Sequence, residues 1–269
     1  MRKNRFLIIL GLAFLMAFVS CNSYNKLLKS TDNELKYQTA MSFYEDKDYN
    51  RALQLFDVLQ AAYRGKPEGE KVAYYSAECY YKMKDYEIAS HYYKRYVVNY
   101  PFAKNAEDAL FRSACCYYLE SPNISLDQTE SYTAISEFQN FVDVYPNSVY
   151  VDSANQLIDT LRYKIAEKDF NTCMLYYKMD EYQAAITSFE SYIKEYPMTH
   201  HREEIMKYMV MTYYNYAGNS VSEKQRERYE LALEKYNTLS YMYPESIYIA
   251  ELEPIIKKIH TELTNINTK

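Results

Sequence analysis

The chain has 269 residues, 48 % of them hydrophobic, which is enough apolar material for a long packed array and argues against wholesale disorder. Four Gly and seven Pro stand against 34 Tyr and no Trp, a poor supply of turn residues for a β-sandwich or a loop-rich enzyme. The formal charge is −5, and without residues 1–20, which hold Arg2, Lys3 and Arg5 and no acid, it becomes −5 − 3 = −8; an acidic chain with no basic stripe argues against nucleic acid as a partner.

Arg2, Lys3 and Arg5 precede an apolar run over residues 6–19. A basic start followed by a short apolar stretch is the layout of a secretory signal peptide, here residues 1–20. The run falls short of the roughly 20 apolar residues of a membrane span. It ends in Val19-Ser20-Cys21, which resembles a bacterial lipobox, in which the Cys thiol is acylated and becomes the first residue of the mature chain. Cys21 is the expected lipidation site; the alternative is an ordinary signal peptide with Cys21 as a bystander. No acidic run follows Cys21, so a periplasm-facing anchor is expected. Residues 21–33 read as the lipidated Cys and a tether.

Residues 34–248 contain five copies of one pattern. Its anchors are Ala52, Ala89, Ala134, Ala185 and Ala232. An aromatic lies one turn after each: Phe56, Tyr93, Phe138, Phe189 and Tyr236. Tyr63, Tyr100, Tyr145, Tyr196 and Tyr243 follow, and Pro101, Pro146, Pro197 and Pro244 close the last four copies. Ala lets two helices approach, the aromatic on the same face plugs the gap, and Pro ends the helix. Upstream, small residues Ala40, Ala77 and Cys173 and the tyrosines Tyr44, Tyr81 and Tyr177 mark a partner helix. Polar turns such as Glu45-Asp46-Lys47-Asp48 and Lys82-Met83-Lys84-Asp85 separate the two. Anchor spacings of 37, 45, 51 and 47 residues reflect inserts, at residues 120–129 in the third copy and 217–227 in the fifth, expected as loops on one edge. Residues 249–269 read as a capping helix through Ile255, Ile256, Ile259 and Leu263, with Pro254 in its first turn. Helix, tight turn, helix, Pro resembles the tetratricopeptide unit. The expected fold is thus all-α, a tetratricopeptide-repeat superhelix (α-solenoid) of about five helix-turn-helix units with a C-terminal capping helix.

Chemistry is sparse. The acids fall in turns and on outward faces, and neither a Gly-rich phosphate loop nor a Gly-x-Ser-x-Gly nucleophile occurs. No third ligand is spaced to join His200-His201, so no metal and no cofactor is expected. Cys79, Cys115, Cys116 and Cys173 read as small core residues, with disulfides an alternative in an oxidising compartment. No enzyme is expected, and what remains is a groove. On the first helices Tyr37 and Tyr44, Tyr74 and Tyr81, Phe111 and Tyr118, and Phe170 and Tyr177 fall seven apart, two turns, so each pair shares a face. Such an aromatic ladder would suit an extended peptide bearing aromatic side chains, the alternative being rings that fill space between helices.

The lipobox, the five repeats, the segment Tyr24-Asn25-Lys26-Leu27-Leu28-Lys29-Ser30-Thr31-Asp32 and the insert Ser121-Pro122-Asn123-Ile124-Ser125-Leu126-Asp127-Gln128-Thr129 together resemble the BamD family, in a Bacteroidetes-like form. These are the lipoproteins of the outer-membrane β-barrel assembly machinery. The resemblance implies an outer-membrane, lipid-anchored protein on the periplasmic face. It implies that the first repeats receive unfolded outer-membrane proteins and that the fourth and fifth dock on the periplasmic domains of BamA. Other lipoproteins of that machinery are further implied partners. The competing expectation is a tetratricopeptide lipoprotein that scaffolds cell-envelope or peptidoglycan enzymes.

Overall fold

The computed structural model describes residues 24–267, and every regular element among them is an α-helix. A short helical segment over residues 24–29 leads into α1 (Asn33–Glu45) and α2 (Tyr49–Ala62). Then come α3 (Glu68–Met83) with α4 (Tyr86–Asn99), α5 (Ala106–Glu120) with α6 (Thr129–Val144), α7 (Val151–Lys178) with α8 (Tyr182–Glu195), and α9 (Arg202–Gly218) with α10 (Ser222–Met242). The last element is α11 (Ile247–Asn267). Among the described residues these form five helical hairpins of the tetratricopeptide kind and a terminal helix. Residues 1–20, expected as a signal peptide, and Cys21 lie outside the described residues.

The polar turns expected from the sequence close in one shared way. In the first hairpin the Asp48 N–H donates to the Phe43 carbonyl at 2.8 Å and the Lys47 N–H to Tyr44 at 3.1 Å. Asp85 and Lys84 repeat this onto Tyr80 and Tyr81, and Glu181 and Asp180 onto Tyr176 and Tyr177. This is the Schellman closure, and it needs a left-handed residue where Gly is usual. Lys47 (φ 63°), Lys84 (φ 66°) and Asp180 (φ 57°) stand there instead. At the far end of each hairpin, Tyr63, Tyr100, Tyr145, Tyr196 and Tyr243 each donate their N–H four residues back, to Leu59, Tyr96, Phe141, Tyr192 and Leu239. In the last four hairpins Pro follows directly and stops the helix, as expected.

The chain forms two compact parts, one ending at Leu161 and the other starting at Arg162. In the first, each core layer joins a hairpin to the first helix of the next. Ala40, Ala52, Leu55, Phe56 and Leu59 pack with Val72 and Cys79 of α3. Ala77, Ala89, Tyr93 and Tyr96 pack with Ala109 and Cys116 of α5. Leu110, Ala114, Ala134, Phe138 and Phe141 pack with Ala154, Ile158 and Leu161. The second part repeats the scheme: Phe170, Cys173, Met174, Ala185, Phe189 and Tyr192 meet Ile205 and Met209 of α9. Every anchor Ala is fully buried, as a close helix crossing requires. The Tyr236 ring is only half-buried, and Leu239, fully buried, fills the fifth layer beside it.

Three expectations change. The fifth-copy insert is not a loop: α9 runs to Gly218, α10 starts at Ser222, and most of residues 217–227 are helical. After Gly218 the segment holds neither Gly nor Pro, and its Lys224–Glu227 and Arg226–Glu230 pairs suit a helix surface. The spacing of 51 before Ala185 is likewise helix, because α7 extends over 28 residues. Pro254 lies inside α11 and not in its first turn. Ser246 starts that helix earlier, its Oγ accepting the Tyr248 N–H at 3.4 Å, and burial of Leu252 to 1 % exposure favours the extra turn.

Candidate functional site

The first helices of the first three hairpins carry the aromatic ladder. Tyr37, Tyr44, Tyr74, Tyr81, Phe111 and Tyr118 are all half-buried. They are not bare groove rings, because each packs against its own or the neighbouring hairpin. Tyr44 sits edge-on to Tyr49 at 5.6 Å and to Tyr75 at 5.2 Å. Tyr81 meets Tyr86 and Tyr93, with the Arg112 guanidinium 5.7 Å from its ring centroid. Phe111 stacks on Tyr150 at 4.7 Å and 9°. Tyr37 packs on the core of the first hairpin and Tyr118 on that of the third.

Beneath the ladder lies a polar network that the sequence reading missed. Glu78 of α3 is 5 % exposed. Its carboxylate accepts the Tyr44 hydroxyl at 3.1 Å and the Tyr93 hydroxyl in a short hydrogen bond. Arg112 of α5 reaches Glu78 at 3.3 Å and donates from Nε to Asp108 at 2.7 Å. Asp108 also accepts from Tyr74 at 2.6 Å and from Tyr150 at 3.2 Å. Tyr44 and Tyr74 thus each donate to a carboxylate 34 residues on, one hairpin later. The signal was present as charged residues inside the small-residue face of a first helix, Glu78 beside Ala77.

The electrostatics follow from burial. Burial, then Glu78, lifts Tyr44 and Tyr93 above the ordinary phenol range; burial, then the Asp108 hydrogen bond, does the same to Tyr74. Burial opposes the Arg112 charge, yet Glu78 and Asp108 more than offset it and hold the guanidinium above its usual value. Every tyrosine of the network is a neutral donor and Arg112 is a fixed cation. Among the described residues the Tyr37, Tyr81 and Tyr118 hydroxyls make no hydrogen bond.

Cys79, Cys116 and Cys173 are buried, Cys115 is half-buried, and all four are free thiols. Burial pushes Cys79, Cys115 and Cys116 up to about 12, which suits packing and not nucleophilic chemistry. His200 and His201 sit at the start of α9, and α7 brings Glu167 against both. The third neighbour that no sequence spacing supplied therefore comes from the tertiary fold. No helix among the described residues is long and apolar enough to cross a membrane.

The tether is fixed to the first hairpin. The Tyr24 hydroxyl lies 3.0 Å from the Arg51 carbonyl and 3.1 Å from Gln54, and its ring meets Phe43 edge-on at 5.7 Å. Leu27 and Leu28 pack on the same core. Lys36, 3 % exposed, donates to the Ser30 carbonyl at 2.7 Å and holds the turn between tether and α1.

The outer membrane protein assembly factor BamD of Rickettsia prowazekii (strain Madrid E) is 23 % identical over 135 residues, 50 % of this chain and 50 % of that protein. The chain thus matches about half the length of that relative. Among solved structures, the MamA protein is 15 % identical with a TM-score of 0.34, covering 80 % of this chain and 97 % of that one. The P58(IPK) TPR domain is 14 % identical with a TM-score of 0.28, covering 92 % and 64 %. The model of the YfiO family, described as outer membrane lipoprotein, matches residues 29–228 and 176–268, nearly the whole described chain, and the protein belongs to that family of outer membrane lipoproteins.

Proposed function

We propose that this protein is the BamD-like lipoprotein of an outer-membrane β-barrel assembly machinery. In this reading it binds unfolded outer-membrane proteins and docks on the periplasmic domains of BamA, as a scaffold and not an enzyme. The family match over residues 29–228 and 176–268 carries the reading. Residues 1–20 are the signal peptide, Cys21 is the acylated anchor on the periplasmic face, residues 34–248 are the working repeats and residues 249–269 the cap. Because Tyr24 is pinned to the first hairpin, two residues lie between the anchor and folded protein, and the three backbone steps reach at most about 11 Å. The first hairpin then lies against the membrane, where a newly arrived barrel strand must be held.

The half-buried ladder supports binding of a strand with alternating aromatic side chains. Tyr37, Tyr81 and Tyr118 offer ring and hydroxyl, while Tyr44, Tyr74 and Phe111 offer ring edges held in place by the network below. BamA docking falls to the fourth and fifth hairpins. The test is titration of a labelled peptide, the C-terminal strand of an outer-membrane protein, against wild type, Tyr81→Ala and Tyr81→Phe. Truncating an aromatic hot spot costs about 2 kcal/mol or more, so the Ala variant loses at least roughly 30-fold in affinity while Phe keeps most of it. BamA binding persists in both. A folded Ala variant with wild-type affinity refutes the ladder as receptor. A chain that captures peptidoglycan enzymes and no barrel partner refutes the wider reading.

A further inference from the structure

Three donor groups converge in the second part of the chain. His200 and His201 form the turn into α9, and Glu167 projects from α7. The Glu167 Oε1 lies 3.4 Å from His200 Nε2 and 2.7 Å from His201 Nε2. One ligand atom from each residue falls within 4.8 Å of the others. We propose that Glu167, His200 and His201 form a zinc site, with water as the fourth ligand.

The geometry fits. Ligand atoms about 2.0 Å from a tetrahedral zinc stand about 3.3 Å apart. The Glu167–His200 pair already has that separation at 3.4 Å, and the Glu167–His201 pair needs to open by about 0.6 Å. Two imidazoles and one carboxylate are a nitrogen–oxygen donor set suited to zinc and poor for magnesium or calcium.

The surroundings hold the ligands in place. The His201 ring is clamped face to face on Phe170, 3.7 Å between centroids and 4° from parallel, and the side chain is 13 % exposed. Its second nitrogen, Nδ1, faces Glu204 Oε2 at 3.5 Å. With zinc on Nε2 the imidazole proton would sit on Nδ1, where the Glu204 carboxylate can accept it. Zinc on Nε2 would replace the contact that this nitrogen makes with Glu167 in the metal-free site. The two carboxylates, Glu167 and Glu204, meet the charge of the dication. His200 stacks on Tyr163 at 5.8 Å and is 60 % exposed, which leaves the ion a route in and room for a water. Bridging α7 to α9, the ion would tie the fourth hairpin to the first helix of the fifth.

The test uses the full-length protein without a polyhistidine tag, purified in detergent and stripped with chelator. Zinc chloride is titrated calorimetrically into wild type, Glu167→Gln and His200→Ala, and circular dichroism verifies the fold of each. Wild type is expected to take up one equivalent and melt at a higher temperature with zinc. Each variant is expected to bind at least tenfold more weakly, with its melting point unmoved by zinc. Cobalt(II) on the wild type is expected to give the intense visible bands of a tetrahedral site, absent in Glu167→Gln. Failure of the wild type to bind one equivalent, or equal binding by all three proteins, overturns the proposal. No barrel peptide or BamA enters this experiment, so its failure leaves the proposed function standing, and the reverse holds too.

Discussion

Replacing Arg112 by Met removes the cation that the structure places on both Glu78 and Asp108. Glu78 would keep its two tyrosine donors but lose its countercharge in a position that is 5 % exposed. Stripping one partner from a buried ion pair costs about 3–5 kcal/mol. The Arg112 side chain is 30 % exposed, so water already screens part of the attraction, and the lower end, about 3 kcal/mol, applies. Glu78→Gln alone should cost about 1–2 kcal/mol, because the amide still accepts from a tyrosine and Arg112 keeps Asp108. The double variant distinguishes a joined pair from two independent contacts. If the pair acts as a unit, the double costs less than the two singles together by at least about 1 kcal/mol. Urea unfolding followed by tyrosine fluorescence and by far-ultraviolet circular dichroism measures all four proteins. Single costs that add within about 0.5 kcal/mol would refute the network as a coupled device. An Arg112→Met cost below about 1 kcal/mol would refute its role in holding the second hairpin against the third.

Ala89→Leu, at a fully buried helix crossing, should destabilise by about 1–3 kcal/mol through overpacking, read as a fall in the urea midpoint at unchanged slope. Lys84→Gly should raise the midpoint, because a side chain at φ 66° costs about 1 kcal/mol that Gly avoids; a drop in stability would mean that the Lys84 stem packs. Tyr93 and Tyr96, 0 % and 1 % exposed, have folded-state values lifted above the ordinary phenol range, in both by burial first and then by Glu78 or Glu70. Their contribution is therefore complete below about pH 10 and lost as pH rises further, since the unfolded chain gives up protons that the folded one keeps. The loss reaches at most about 1.4 kcal/mol per pH unit for each tyrosine, and Tyr93→Phe should flatten the fall between pH 10 and 11.

The hairpin array was legible in the sequence because its causes are local and recur. An anchor Ala, an aromatic one turn on and, in four copies, a Tyr-Pro stop follow from helix geometry, so the repeats reveal the anchor-bearing helices, their C-terminal stops and the buried Ala column. The tight turns were legible as polar segments, though not the left-handed lysines within them, since backbone dihedrals leave little trace in residue type. The two inserts looked alike, yet residues 121–128 stay a connection while the fifth-copy insert joins α9 and α10 as helix. The ladder residues could be read from the sequence only as pairs two turns apart on each first helix. What they touch was decided elsewhere: the carboxylates facing Tyr44 and Tyr74 lie 34 residues away, and their approach depends on how one hairpin stacks on the next. Glu167 meets His200 and His201 for the same reason, across a separation that no local spacing rule spans. Sequence determines a helix through contacts three and four residues apart, which a single strip of side chains records. Only the tertiary structure sets contacts between strips, because they depend on the angle and register at which two finished helices pack.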